Sequence, residues 1–352
     1  MPNERLCPFL APASFDHLDS LSLVTAETAL ERAEELAERL LPDRTPKRRM
    51  LVIVNPYATT VSDRLRNLVV YALQSRYSVE AVNTKERNHA TEICREAAQE
   101  GYDVVVAFGG DGTVNEAANG LAGSNTPLTA LPGGSTNVWA RTLGIPNDVV
   151  DATEHLLRVA DFFEPRRVDL GRVNGRYFVF ASGVGLDASV VERVDQHPKL
   201  KARYGAWYYS YAGVDIFTRR YLRNAPCVRV HAAGRELDAV TVIVQNSDPF
   251  TYFRKRPVRV ADGAGLQTGT LGVAVLRSAT PLELPTLIPR LLSGRPEAVL
   301  RHRQVESLGA LDGLRVEAID DEPFPVQVDG DFIGESTHVE YAAAPGALLA
   351  VS

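Results

Sequence analysis

The pattern of apolar and polar positions changes character near residue 160. Before that point, short unbroken apolar runs alternate with amphipathic stretches. Leu51–Val54 and the run in "YDVVVAF" read as strands buried on both faces, while "SDRLRNLVVYALQSR" and "NHATEICREAAQEG" space their apolar residues as helices do. "YSVEAVNT" reads as a strand between them, with Asn88 or Thr91 starting the second helix and Gly101 stopping it. Apolar strands interleaved with helices predict a doubly wound parallel α/β sheet, which takes ligands at the carboxyl ends of its strands.

Beyond residue 160 the strands are short and separated by turns: "RRVDLGRVNGRYFVFAS", "CVRVHAAGRELDAVTVIVQNS", "TGTLGVAVL", "GLRVEAID", "FPVQVDGDFIG" and "THVEYAAA". Val173–Asn174–Gly175–Arg176 and Val328–Asp329–Gly330–Asp331 have the composition of two-residue hairpin turns. This half is expected to be a second, antiparallel β-sandwich-like domain, interrupted by a helical insert over 196–224 and another near 281–294. Residues 1–47 form an appendage. Its segment "TAETALERAEELAERLL" places Leu30, Leu36, Leu40 and Leu41 at helical spacing beginning at Thr25 or Glu27. The mainly acidic polar face favours docking on protein over lying on a membrane.

With 352 residues, 45% of them hydrophobic, the chain can build a large core, and two domains are the natural expectation. The net charge of −6 and the lack of a Lys/Arg tract argue against nucleic acid as a partner. Cys7, Cys94 and Cys227 are isolated, which suggests reduced thiols in a cytoplasmic protein, and neither an export signal nor an apolar span of about 18 residues is present. His89, His197, His231, His302 and His338 are scattered, so no transition-metal site is expected.

The candidate chemistry lies in "AFGGDGTVNEAANGL", where a buried strand runs into a helix through Gly109, Gly110, Asp111, Gly112 and Thr113. Glycines at such a turn admit a phosphate close to the backbone and permit unusual dihedrals, and the helix start offers unpaired N–H groups. Asp111 would repel a phosphate unless a divalent cation lies between them or the carboxylate accepts a proton from an attacking hydroxyl; the plainer alternative is that it caps the helix. A second turn of the same kind, Pro132–Asn137, contains Gly134 and Ser135 and leads into a helix that Asn137 is placed to cap and from which Arg141 can face an anion. A third, "VNPYATT", follows the first strand and supplies Asn55, Thr59 and Thr60.

Together, "GGDGTVNEAANGL", "LPGGSTNVWARTLGIP", "VDLGRVNGRYFVFASGVGLDASVV" and "VQVDGDFIG" resemble the diacylglycerol-kinase-type lipid kinases, a family that includes sphingosine and ceramide kinases and bacterial lipid kinases; NAD kinases are more distant relatives. The similarity spans roughly residues 50–345. It implies an α/β nucleotide domain over 48–160, a β-rich lipid-substrate domain over 161–319 and a return of about 320–352 to the first. It also implies ATP as phosphoryl donor, Mg²⁺, and a lipid hydroxyl as acceptor, most readily diacylglycerol; a soluble-acceptor kinase or a non-catalytic binder is the alternative. By the same resemblance, Asn55, Gly109, Gly110, Gly112, Thr113, Glu116, Gly134, Ser135 and Asn137 hold the nucleotide, Asp111 serves metal binding or hydroxyl activation, and Asp331 and Asp169 complete the catalytic set. The chain departs from the family pattern at "NPYATT", at Val138 in place of an Asp, at Asp331 in place of a Glu and at Thr268 in place of an Asp.

A lipid kinase must meet a membrane. The insert carries Tyr204, Trp207, Tyr208, Tyr211 and Val214 at helical spacing, with Lys199, Lys201, Arg203, Arg219, Arg220 and Arg223 at its ends. Such a segment suits an anionic surface or packs on the second domain. A cytoplasmic protein in transient contact with the inner membrane face is expected, and open sheet edges allow a homodimer.

Overall fold

A computed structural model describes residues 46–352, apart from 59–60, 198–199, 201–203, 205, 222–226, 254–255, 281–283 and 294. The helix expected within residues 1–47 lies outside the described residues. Residues 47–352 form one compact unit.

The first half builds as its apolar pattern dictates. Strands β1 (Arg49–Val54), β2 (Ser78–Asn83), β3 (Val104–Gly109) and β4 (Leu128–Pro132) pair in parallel in the order β2-β1-β3-β4. β3 and β4 are buried throughout, as strands covered on both faces are. The helices are α1 (Asp63–Leu73), α2 (His89–Glu100), α3 (Asp111–Leu121), α4 (Val138–Thr142) and α5 (Val149–Val159). Ser62 caps α1 by accepting from Leu65 N, and Gly101 ends α2 in the left-handed region at φ 71°.

The second half supplies β5 (Arg166–Val173), β6 (Arg176–Phe178), β7 (Ala181–Gly185), β8 (Val228–Ala232), β9 (Arg235–Ala239), β10 (Thr241–Gln245), the β11–β12 hairpin (Thr251–Phe253, Arg256–Val258), β13 (Leu271–Leu276), β14 (Val305–Leu311), β15 (Gly313–Ala318), β16 (Phe324–Val328), β17 (Asp331–Ser336) and β18 (His338–Ala350). One sheet, β14-β13-β10-β7-β16-β17, is antiparallel. It packs on the other sheet's second part through Val184, Val242, Val244, Val273, Phe324 and Val326 on one side and Val230, Val316, Val339 and Tyr341 on the other. The sandwich is not a separate sheet system: β18 pairs with β15 and β5 and, at Ala350, in parallel with Leu128 of β4, so ten strands run through both halves. Both sequence-predicted hairpins form with two successive positive φ angles, Asn174–Gly175 at 46° and 88° and Asp329–Gly330 at 50° and 81°.

Among the described residues, four further helices lie in the second half. They are α6 (Leu186–Asp195), α7 (Ala206–Ile216, continued by a π turn to Tyr221), α8 (Leu284–Leu292) and α9 (Pro296–Leu300). α7 lies in the expected insert; of its sequence-predicted residues, Lys199, Lys201, Arg203 and Arg223 are outside the described residues.

Candidate functional site

Three strand ends meet where the strand order passes from β1 to β3. Asn55, just past β1, donates from its main-chain N to Phe108 O at 3.0 Å and from Nδ2 to Thr113 Oγ1 at 3.2 Å, while its Oδ1 accepts from Tyr57 N at 2.9 Å. The turn after β4 lies directly on the turn after β3. Gly133 N donates to Gly109 O at 2.8 Å. A Cβ on Gly133 would stand 2.9 Å from Gly109 Cα, and one on Gly134 would stand 2.8 Å from Gly110 Cα. Gly133 and Gly134 are therefore required by the close passage of two backbones, and Gly109 by the Thr113 side chain, which a Cβ there would strike. Unusual dihedrals, also expected from the sequence, are not the reason: Gly109, Gly110 and Gly112 all lie outside the positive-φ region. Thr59 and Thr60 are outside the described residues.

Three carboxylates gather at the start of α3. Asp111 opens the helix and its Oδ1 accepts from Trp139 N, in the first turn of α4, at 3.4 Å. Asp331 sits against the bare Cα of Gly112, where a Cβ would come within 2.6 Å of Oδ2. Asp329 is buried, and each of its oxygens accepts twice: Oδ2 from Asn115 Nδ2 and Val179 N, both at 2.7 Å, and Oδ1 from Phe180 N at 2.9 Å and Ala181 N at 3.0 Å. Burial, then the charge of Asp329 and more weakly that of Asp331, push the Asp111 carboxyl up to about 7, against the pull of the Trp139 and Val138 amides. Burial also pushes Asp329 up, to about 6, and its four N–H donors resist. Asp111 thus holds its proton to near neutrality in the absence of a compensating positive charge.

That donor set offers only oxygen, the kind of ligand Mg²⁺ takes. Among the described residues no three His, Cys, Asp or Glu side chains make a ready-built cage. Mg²⁺ is commonly held by one or two carboxylates, with phosphate oxygens and water completing the octahedron, and Asp111, at the uncapped start of α3, supplies one. The N-terminus of α3 is left open for an anion, since its cap is Gly110 and no side chain bonds to it there. Ser135 is exposed at the tip of the second turn. Beside Asp331 opens a cleft of ≈ 360 Å³ lined by Arg87 and Arg176 together with Phe332 and Ile333. Arg176 is fixed there by donating from Nη2 to Asn115 Oδ1 at 2.9 Å. Over α4, the Arg141 guanidinium stacks on the Tyr252 ring of the β11–β12 hairpin, 3.3 Å from its centroid.

Three sequence-predicted residues have other tasks. Asp169 is not brought to Asp111: its Oδ1 accepts from Gly346 N at 2.8 Å and its Oδ2 from Gly269 N at 2.7 Å. The next residue, Ala347, receives the N–H of Gly123 beyond the far end of α3. Asp111 begins that helix, whose 11 residues span about 16 Å. Glu116 caps α2, its Oε1 accepting from Asn88 N at 2.9 Å and its Oε2 from Ala90 N at 3.2 Å, because Asn88 itself sits at φ 66° without a capping side-chain bond. Asn137 turns away from α4 and shapes its own loop, accepting from Gly134 N at 3.0 Å and donating to Gly134 O at 2.9 Å. Asn115 and Asp329 are each readable from the resemblance, but their union with Asn119 and Tyr177 in one clamp is not. Its one sequence signal is a pair of Asn residues four apart on α3, which donate together to Tyr177 O at 3.0 Å.

With this geometry in place, comparison with known proteins gives a consistent result. The model of the diacylglycerol kinase catalytic domain matches residues 49–173, and that of a C-terminal NAD kinase beta sandwich-like domain matches residues 181–352. A diacylglycerol kinase of Staphylococcus aureus is 32% identical over 309 residues, covering 84% of this chain and 93% of its own. An uncharacterised protein of Synechocystis is 27% identical over 316 residues, covering 84% of this chain and 68% of its own. A Bacillus anthracis crystal structure provisionally assigned as a diacylglycerol kinase superposes with a TM-score of 0.69 at 25% identity, over 88% of this chain and 97% of its own.

Proposed function

The chain belongs to the family of diacylglycerol kinase catalytic domains, and from that premise we propose that it transfers the γ-phosphoryl group of ATP to a lipid hydroxyl, diacylglycerol first among the candidates. The observation that carries this reading is the seating of the Asp331 carboxylate on Gly112, one residue past Asp111 and beside a cleft that is part apolar and part cationic. In this reading the acceptor hydroxyl enters that cleft with its chain toward Phe332 and Ile333. Asp331 takes the hydroxyl proton as the oxygen bonds to the γ-phosphorus and the bond to the β-phosphate oxygen breaks, releasing ADP. The open amides at the start of α3 and the exposed tip near Ser135 receive the phosphates. Asp111 would hold Mg²⁺, which would neutralise phosphate charge. Phosphoryl transfer depends on alignment and charge neutralisation, and rigid backbone-on-backbone packing of the two turns serves alignment.

No helix among the described residues is long and apolar enough to cross a membrane. In the proposed function the protein reaches its substrate from the bilayer surface through α7, which leaves Tyr211 59% and Val214 58% exposed. The test is a panel of diacylglycerol, ceramide, a sphingoid base and a polyprenol in mixed micelles, together with NAD in solution, each with radiolabelled ATP and Mg²⁺. Label in extracted lipid supports the proposal; label in NAD alone points to a soluble acceptor, and no transfer to either refutes kinase activity on these acceptors.

A further inference from the structure

The two residues that flank Asp331 are both held from one helix. Phe332 N donates to Asp195 Oδ2, at the last residue of α6, at 3.1 Å. Gly330 N donates to Gln327 Oε1 at 3.0 Å, and Gln327 Nε2 donates to Asp187 Oδ2, in the first turn of α6, at 2.8 Å. Gln327 is buried, and Gly183 beneath this link has no side chain because a Cβ would collide with the Asp187 carboxylate. The backbone on each side of Asp331 is thus tied to an opposite end of α6.

One of these ties runs against helix electrostatics. A carboxylate in the first turn of a helix is favoured by the macrodipole; one at the last residue is opposed by it. Asp195 is therefore in a place that helix stability alone disfavours, and its Oδ2 is engaged by an amide of the hairpin. On its other side α6 packs on α7 through Val190, Val194, Tyr208 and Ala212, with an Arg193–Asp215 ion pair at 3.5 Å. The helix stands between the exposed aromatic face of α7 and the hairpin that carries Asp331.

We propose that Asp195 is a positioning residue for Asp331, and that α6 is the strut that sets the catalytic hairpin against Gly112. The proposal rests on the reading of Asp331 as the proton acceptor in phosphoryl transfer. A shift of about 1 Å in a reacting group is enough to lower turnover by as much as ~100-fold, so loss of one anchor is expected to be visible in kcat. Nucleotide seating depends on the turns after β3 and β4 and is expected to be spared.

The experiment uses the full chain with Asp195→Ala and Asp195→Asn. Asn retains a side-chain oxygen that can accept from Phe332 N; Ala does not. For Asp195→Ala the expected result is a fall in kcat of about tenfold or more with a KM for ATP within about twofold of the parent. Asp195→Asn is expected to recover most of the lost kcat. Hydrogen exchange in peptides spanning residues 324–336 is the activity-independent readout: exchange rises in Asp195→Ala and stays near the parent's in Asp195→Asn. A kcat within twofold of the parent for Asp195→Ala overturns the proposal, as do equal losses in both variants or unchanged hairpin exchange. Should the parent phosphorylate no acceptor, the functional reading fails, while the exchange data still decide whether Asp195 anchors the hairpin.

Discussion

Asp111→Asn is expected to make the ligand-free protein more stable while removing its activity. The Asp111 carboxyl is pushed from 3.8 to about 7, first by burial and then by Asp329. A native-state pKa above the unfolded one means that between about pH 4 and pH 7 the folded protein holds a proton the unfolded chain has lost, so stability falls as pH rises through that window. Each unit is worth about 1.4 kcal/mol, which sets an upper bound of about 4 kcal/mol at pH 8 and about 1.6 kcal/mol at pH 5. Relaxation around a half-buried group leaves roughly 1–3 kcal/mol of this at pH 8, or about 2–6 °C in Tm for a chain of this size. The assay is thermal unfolding of parent and variant from pH 4 to pH 8 without nucleotide or metal. The gap between the two curves should open as pH rises. Added Mg²⁺ and ATP should then stabilise the parent more than the variant, whose turnover should be lower by about 100-fold or more. A variant that is equally or less stable than the parent at pH 8 would refute the reasoning.

The neighbouring carboxylate should behave in the opposite sense. In Asp329→Asn one oxygen becomes an NH₂ group facing N–H donors, so stability at pH 7 should fall by about 3 kcal/mol, read as a lower denaturant midpoint. Gly112→Ala places a methyl group 2.6 Å from Asp331 Oδ2; steady-state kinetics should give a kcat reduced by about 10–100-fold with the fold intact by circular dichroism. Glu116→Ala removes the acceptor at the start of α2 and should cost about 1 kcal/mol in chemical unfolding while kcat stays within about twofold, an outcome that a nucleotide-binding role for Glu116 would not allow.

Much of this molecule was legible from short-range pattern. The central strands β1 and β3 are nearly unbroken apolar runs because helices cover both faces of their sheet, and the two tight hairpins were readable because Asn-Gly and Asp-Gly tolerate two consecutive positive φ angles. The glycine turns were correctly placed at strand ends, yet their reason was not readable. Glycine forced by φ and glycine forced by a crossing backbone look the same in a sequence, and Gly133 and Gly134 are of the second kind. Glu116 and Asp169 illustrate the same limit, since a carboxylate near a phosphate-type turn and one that caps a helix or joins two loops carry the same letter.

The sequence by itself determined the order of strands and helices, the positions of the turns and the types of group offered at them, because helix and strand periodicity and turn dihedrals are set within a few residues. Only the tertiary structure decided which of those groups share a site. Asn115 meets Asp329 across 214 positions and Gly112 meets Asp331 across a comparable stretch, through the pairing of β16 with β7 and β17 and the packing of α3 beside them. The elevated proton affinity of Asp111 is of the same origin, for it comes from burial and from charges that local sequence does not bring near.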